Sequence, residues 1–454
     1  MLLKRFIYFI FIILLLLIFV VLPKISLKFS IFLFIFLNIL YFFTNIVKAF
    51  LFLYSVKSYN YNDYFEKVDL SINDEDLPIY TILLPVRDET HPVLNSLLKS
   101  IYELDYPKDK LDIKFVVDEN DIKTIKVGKK LLKKFKFDLV IVPDFKIKSK
   151  PLSCNYALNF IKGKYLVIFD AEDRPEKYQL KKALKRFNEL DENYICLQAS
   201  LNFYNKYDNF ITYCFSIEYS MWFDFTIRTI TKYGTFFPLG GTSNHFKVKE
   251  LFEIGKWDGY NMTEDAELGV RITKAGYKIY YLNSITNEEC PKTIYAWIKQ
   301  RTRWIKGFMQ TFCEHLFFKK PKTINSNLKF KNIRQLQFFD IITFDIFIMM
   351  SFLFFLSIIS ILINHNMFMK IVDLNLIYLS KLLIFISYFN FFSLILMNYI
   401  SFITIIIKNK LKFKLLYFIF SLFYWILHYV AGIRAFYYFV KSPFYWSKTK
   451  HGKK

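Results

Sequence analysis

Acidic residues in this chain gather in short runs, each following an apolar stretch. PVRDE (Pro85–Glu89) ends the apolar run that starts at 79, DEND (Asp118–Asp121) follows 113–117, and DAED (Asp170–Asp173) follows 165–169. One acidic run of this kind is ordinary loop polarity. Several brought to one place repel one another unless a cation neutralises them. A divalent metal carrying a diphosphate is the economical cation, because hard oxygen ligands that leave positions open suit Mg²⁺ or Mn²⁺. TEDAELGVRI (Thr263–Ile272) suggests a second kind of chemistry. Thr263 is placed to cap a helix reaching towards Gly276, with Asp265 in its first turn. An acid there is either a helix-dipole partner or a base. In LGGTSNHFK (Leu239–Lys247), Gly240 and Gly241 let the backbone approach a ligand closely, or simply make a turn. QRTRW (Gln300–Trp304) concentrates scarce arginines beside a Gln and a Trp. On a helix Gln300, Arg303 and Trp304 share a face. A guanidinium grips phosphate bidentately and an indole packs on the apolar face of a sugar. The same residues also suit an interfacial helix, with Arg at headgroups and Trp in the aromatic belt, and both readings can hold together.

The elements that must position these residues show in the pattern. Runs at 79–86, 113–117, 138–142 and 165–169 are short, apolar and rich in β-branched and aromatic residues, with helix-like segments at 92–102, 123–135, 150–162 and 177–189 between and after them. Strands alternating with helices of this length predict βαβ units and a parallel sheet covered on both faces. In such a sheet ligands bind beyond the carboxyl ends of the strands, where the acidic runs fall.

The ends of the chain differ from its middle. Overall 54% of residues are hydrophobic and 20% aromatic, concentrated towards the termini. Residues 6–22 and 30–54 are each long and apolar enough to span a bilayer, as are 338–363 and 414–440. The stretch 375–407 is long for one helix and short for two. Basic residues at Met1–Arg5, 408–413 and KTKHGKK all favour the cytoplasmic side, which places the middle in the cytoplasm. We therefore expect N-terminal transmembrane helices, about two, over 1–57, a linker over 58–77, and a cytoplasmic catalytic domain over 78–335 with interfacial helices near 293–335. A C-terminal transmembrane region over 336–440 and a basic tail over 441–454 follow.

The net charge of +23 reflects Lys usage throughout the chain and suits anionic lipid or a diphosphate. The arginines stand beside carboxylates rather than in basic stripes, so nucleic acid is not an expected partner. The cysteines (Cys154, Cys196, Cys214, Cys290, Cys313) lack CxxC or zinc spacing, which argues against a disulfide framework or a zinc site.

Taken in order, PVRDE, DEND, DAED, TED and QRTRW resemble the family 2 inverting glycosyltransferases, in the membrane-integrated branch with the cellulose, chitin and hyaluronan synthases. The longer wording DAEDRPE, GGTSNHF, TEDAELGVRI, QRTRWIKGFMQT and PFYWSKTKHG is closer to bacterial membrane glycosyltransferases of that family. The resemblance implies an α/β GT-A (nucleotide-diphospho-sugar transferase) domain plus α-helical transmembrane segments in the inner membrane. It implies that Pro85, Glu89, Asp118, Glu119, Lys150 and Asp170 serve the UDP-sugar donor, with Asp118 or Glu119 near the uridine. Asp170 and Glu172 would hold Mg²⁺ or Mn²⁺, although Asp173 follows directly and competes with Glu172 for that role. Asp265 would be the general base. Gly241, Thr242, Glu264, Gln300, Arg301, Arg303 and Trp304 would face the acceptor and the leaving diphosphate. The implied reaction is one in-line displacement that inverts the anomeric centre, onto a growing polysaccharide or other glycan. Transfer to a lipid-linked acceptor and a catalytically silent membrane scaffold are the alternatives.

Overall fold

The computed structural model describes residues 27–65, 73–145, 149–232, 237–317 and 377–442, with isolated positions 17 and 21. The expected spans at 6–22 (apart from those positions) and 338–363, and nearly all of the basic tail, lie outside the described residues. The helices are α1 (Leu27–Ser58), α2 (His91–Tyr102), α3 (Ile122–Leu131), α4 (Lys150–Ala157), α5 (Gln179–Glu189), α6 (Phe210–Tyr219), α7 (Arg228–Lys232), α8 (Val248–Glu253), α9 (Glu264–Lys274), α10 (Ile294–Phe317), α11 (Ile377–Lys408) and α12 (Leu415–Lys441). The chain divides into an α/β unit, whose described part is Tyr59–Trp297, and a helical unit drawn from Met1–Ser58, Ile298–Lys319 and Gln335–Tyr445.

The α/β unit is built on one sheet of strands β1 (Tyr80–Val86), β2 (Leu111–Asp118), β3 (Asp138–Val142), β4 (Tyr165–Ile168), β5 (Arg174–Pro175), β6 (Tyr194–Phe203), β7 (Asn244–Lys247) and β8 (Lys278–Glu288). Their order across the sheet is β3-β2-β1-β4-β7-β6-β8-β5. β1, β2, β3 and β4 are parallel, as the alternation predicts, so the acidic turns after β2, β1 and β4 emerge side by side at one edge. The rest is mixed. β7 runs antiparallel to both β4 and β6, and β5 pairs antiparallel with β8. β5 and β7 are only two and four residues long, and the β6–β8 pairing is broken by register shifts, which hides the period of this half in the sequence.

Helix α2 buries Leu94, Leu97, Leu98 and Ile101, an i, i+3, i+4, i+7 stripe, against Ile82, Leu84 and Phe115 of the sheet. Pro85 sits inside β1 without costing a ladder bond. Leu83 still accepts from Phe169, but β4 ends there, so the position two residues on has no neighbour requiring its N–H. Between α6 and α7 the helix widens to π geometry over Ser220–Ile227.

In the helical unit α11 is one continuous helix, which settles the ambiguous stretch 375–407. It turns at Lys410, with φ of 53°, into α12. Tyr399 packs on Phe418 at 4.7 Å, and Asn398 bonds both Ser421 (3.0 Å) and the Trp425 indole (2.5 Å). By length and composition, Tyr388–Lys408 and Leu415–Lys441 are able to cross a membrane.

Candidate active site

The acidic turns divide into fastenings and open groups. Asp121 caps α3 by accepting from Thr124 N (3.1 Å), and its other oxygen accepts from Asp88 N (2.5 Å), tying the PVRDE turn to DEND. Asp88 adopts φ of 52°, which Asp tolerates better than most side chains. Glu89 is buried, and its backbone N–H donates to Thr124 Oγ1 (3.2 Å). Glu119 Oε1 accepts from Asp144 N (2.8 Å), which fastens it to the end of β3. Asp118 is held by Ser153 Oγ at 3.0 Å and lies 3.8 Å from the Arg87 guanidinium.

Beyond β4 the Lys150 ammonium meets Asp170 Oδ1 at 2.6 Å and donates to the Gly241 carbonyl at 2.5 Å. Burial works against this ammonium, but Asp170, Asp265 and Glu264 outweigh it and hold its pKa above the ordinary lysine value. Glu172 is half-buried, whereas Asp173 is wholly buried. Asp173 Oδ2 accepts from Asp170 N (2.6 Å) and from the Thr242 hydroxyl. Its Oδ1 has no hydrogen-bond partner among the described residues. Burial, then the charges of Asp170 and Glu172, push the Asp173 carboxyl well above the usual carboxylate range.

The glycine loop faces the same place. Gly240 N donates to Gln198 Oε1 (2.7 Å), and Gln198 Nε2 donates to the Thr242 carbonyl (3.1 Å). A methyl group on Gly240 would stand 2.9 Å from Leu201, so the residue type is dictated by packing. Gly241 is different: a methyl there would meet only Asp265 Oδ2, at 3.8 Å.

Asp265 is buried at the start of α9, and its orientation comes from a residue that sequence reasoning missed. The Trp257 indole N–H donates to Asp265 Oδ1 at 3.1 Å. Trp257 is in turn clamped by Asn155 of α4, which accepts from its N–H (3.2 Å) and donates to its carbonyl (2.8 Å). Burial and the adjacent Glu264 raise the Asp265 pKa well above normal, with Lys150 and Trp257 pulling the other way. Thr263 occupies the cap position but makes no side-chain cap bond; its hydroxyl goes to Asn261. Arg271 is structural. It pairs with the fully buried Glu267 at 2.9 Å through both carboxylate oxygens and donates to the carbonyls of Ile254 and Lys256.

Glu288 is a second residue missed. It closes β8, its Oε1 is buried with no hydrogen-bond partner among the described residues, and burial together with Asp173, Glu172 and Asp170 raises its pKa well above normal.

Thus Pro85, Glu89, Asp118, Glu119, Lys150, Asp170, Glu172, Gly241, Thr242, Glu264 and Asp265 all belong to the α/β unit. Gln300, Arg301, Arg303 and Trp304 belong to the helical unit on α10, where the Arg301 guanidinium lies over the Trp304 ring at 4.5 Å. Thr302 and Lys306 of α10 bond the carbonyls of Ala431 (3.5 Å), within α12, and of Ser442 (3.3 Å), just past its end.

A sheet of this order, with its acidic turns at the carboxyl edge and a buried aspartate across a glycine loop, is a GT-A-like α/β glycosyltransferase domain. The model of the family described as "Glycosyltransferase like family 2" matches residues 78–307, and the chain belongs to that family. The probable glycosyltransferase YdaM of Bacillus subtilis is 28% identical over 260 residues, covering 54% of this chain and 60% of that protein. The match thus spans less than two-thirds of the curated relative. Mannosyltransferase PcManGT from Pyrobaculum calidifontis, solved in complex with GDP-Man and Mn²⁺, shares the fold with a TM-score of 0.51 at 17% identity, over 82% of this chain and 98% of that one.

Proposed function

We propose that this protein is a membrane-held, metal-dependent inverting glycosyltransferase that moves a sugar from a UDP-sugar to a glycan acceptor at the cytoplasmic face of the inner membrane. The observation that carries the reading is the position of Gly241. Its carbonyl receives the lysine that pairs with Asp170, and its Cβ position faces the Asp265 carboxylate. The donor end and the basic end of a displacement are therefore one residue apart.

The donor set fits a divalent cation. Asp170, Glu172 and Asp173 offer only hard oxygens, and the orphaned Asp173 Oδ1 is an acceptor awaiting a cation or its water. Among the described residues no cluster of three His, Cys, Asp or Glu side chains is drawn together to hold an ion. Asp170 with Glu172 or Asp173 would hold the cation, and bound there it would offset charge growing on the leaving diphosphate. The remaining work belongs to the chain. Lys150 neutralises Asp170 and keeps a cation beside the diphosphate. Asp118 meets the nucleoside at the end of β2, where Glu119, bonded to Asp144, holds the turn in place. Asp265, made more basic by burial and held in one orientation by Trp257, takes the acceptor hydroxyl's proton during attack. One displacement inverts the anomeric centre.

Membrane attachment is supported by apolar side chains left bare on the helices. Phe32, Phe36, Phe43 and Phe50 are exposed on α1, and Phe420, Phe423, Ile426 and Ile433 on α12. On this reading residues 1–57 and 336–440 embed the protein, with α10 at the interface carrying Gln300, Arg303 and Trp304 towards the acceptor.

Membranes containing the protein, supplied with Mg²⁺ or Mn²⁺ and a panel of labelled UDP-sugars, test this directly. Cation-dependent UDP release that Asp265→Asn abolishes is the expected result, and product size separates polymer from addition of one sugar to a lipid. A folded protein that binds no nucleotide sugar overturns the reading.

A further inference from the structure

β5 and β8 pair antiparallel, with Arg174 opposite Asn287 and Pro175 opposite Thr286. Continuing that register by one residue sets Asp173 opposite Glu288. Directly opposed residues of an antiparallel pair project to the same side, with Cβ atoms about 5 Å apart. The face is an interior one: Asp173 and Thr286 are both 0% exposed, whereas Arg174 on the other face is exposed. Each of the two opposed acids keeps one buried carboxylate oxygen, Asp173 Oδ1 and Glu288 Oε1, with no hydrogen-bond partner among the described residues. Two facing carboxylates with unused acceptor atoms call for something positive between them. A sugar hydroxyl is a poor candidate, since it brings no charge and its ring cannot follow it to an atom without solvent access. A small cation carries the charge the pair needs and is compact enough to be held between two carboxylates, directly or with a water that enters with it.

We propose that Glu288 is a further carboxylate of the donor site, facing the divalent cation jointly with Asp173. It rests on the metal-dependent reading above. It adds to the acids that follow β4 a ligand, direct or through one water, from the opposite end of the sheet. It also gives Asp173 a distinct part: Asp173, the one wholly buried acid, forms the floor of the cation site with the buried Oε1 of the half-buried Glu288, while Asp170 and Glu172 are half-buried. The adjacent Glu289 is the natural control, because its carboxylate is engaged by the Tyr204 hydroxyl instead.

The test titrates Mn²⁺ into the detergent-solubilised full chain with saturating UDP, following free Mn²⁺ by electron paramagnetic resonance. Wild type is compared with Asp170→Asn, Glu288→Gln and Glu289→Gln, and thermal melting checks that each is folded. Glu288→Gln is expected to weaken Mn²⁺ binding by about tenfold or more, the range seen for groups that support a metal. Asp170→Asn should weaken it further, and Glu289→Gln should leave it unchanged. If Glu288→Gln does not fold, Glu288→Asp keeps the charge on a shorter arm and is expected to weaken Mn²⁺ as well. Wild-type Mn²⁺ affinity in a folded Glu288 variant, with binding lost in Asp170→Asn, overturns the proposal and leaves the metal-dependent reading standing. Absence of Mn²⁺ binding by wild type with UDP present removes that reading and this one together.

Discussion

The Trp257 indole N–H donates to Asp265 Oδ1 at 3.1 Å, and a left-handed turn stands immediately before Trp257 in the chain. Gly255 (φ 89°) and Lys256 (φ 60°) bend the chain so that the ring returns over the start of α9. A single donor on one carboxylate oxygen leaves the other, Oδ2, facing Gly241. The carboxylate is thereby aimed, with its free lone pairs on the side where an acceptor would arrive.

If Asp265 is the base, Asp265→Asn keeps the shape and the indole bond but cannot take a proton. Turnover is expected to fall by about 10²–10⁴ while the affinity for UDP stays near wild type. Titration calorimetry with UDP alongside initial rates separates the two. Weakened UDP binding with near-normal turnover would assign Asp265 to the donor instead.

Trp257→Phe should change the pH profile. The raised Asp265 pKa means that activity, which needs the carboxylate, rises with pH through a limb above the ordinary carboxylate range. The indole bond favours the ionised form, so its loss raises the pKa further and moves that limb to higher pH. At the top of the profile the loss should be modest, about tenfold, since the base is misaimed but present. A limb that stays in place would show that Trp257 only packs.

Arg271 and Glu267 belong to the TED motif in sequence but to the scaffold in space. Arg271→Ala strips the counter-ion from a carboxylate that is 0% exposed, and breaking such a buried pair costs about 3–5 kcal/mol. The expected result is a large fall in melting temperature, with KM for the donor unchanged in whatever protein remains folded. A stable variant with a raised KM would place this arginine on the substrate.

These cases show what the sequence could and could not disclose. The parallel strands β1 to β4 were legible because buried strands read as continuous apolar runs, and three of them, β1, β2 and β4, ended at an acidic turn. Asp121 and Glu119 look in sequence like any other acids of DEND; only the bonds to Asp88, Thr124 and Asp144 show that they are fastenings. Trp257 carries no motif, since its role depends on a turn whose positive φ values fall at Lys256 as well as at Gly255. Glu288 was hidden for another reason. Its relation to Asp173 follows from strand register across more than a hundred residues, through a two-residue strand that has no periodicity of its own.

The neighbouring glycines should separate fold from function. Gly240→Ala places a methyl 2.9 Å from Leu201 and 3.3 Å from Gln198 Oε1, so about 1–3 kcal/mol of destabilisation is expected. Gly241→Ala meets ordinary contact at 3.8 Å and should fold normally. Its methyl then stands in front of Asp265, so kcat should fall while UDP affinity holds. Melting curves and steady-state kinetics on the pair check both halves. The reverse pattern would mean that the loop does not face the reacting atoms.

His245 offers a stability prediction with a definite sign. The ring is wholly buried between Tyr80 OH at 2.7 Å and Gln179 Oε1 at 3.3 Å. Gln179 Nε2 already donates to Ser284 and Thr286, so Oε1 is its acceptor, His245 Nε2 carries the proton, and Nδ1 accepts from Tyr80. One neutral tautomer satisfies every partner, and burial lowers the pKa from 6.5 to about 3. Between those values the unfolded chain binds a proton that the folded chain does not. The stability associated with neutral His245 is therefore present above pH 6.5 and is lost as pH falls towards 3. The slope from this one group is about 1.4 kcal/mol per pH unit at most. His245→Gln, which cannot charge, should be less stable than wild type at pH 7.5, because the Tyr80 and Gln179 bonds are disturbed. It should also lose less stability than wild type between pH 6.5 and 5. Melting temperatures of both proteins across that range, in one detergent and at fixed ionic strength, decide it. Parallel curves would mean that His245 charges without unfolding the sheet around it, and that the acid sensitivity arises elsewhere.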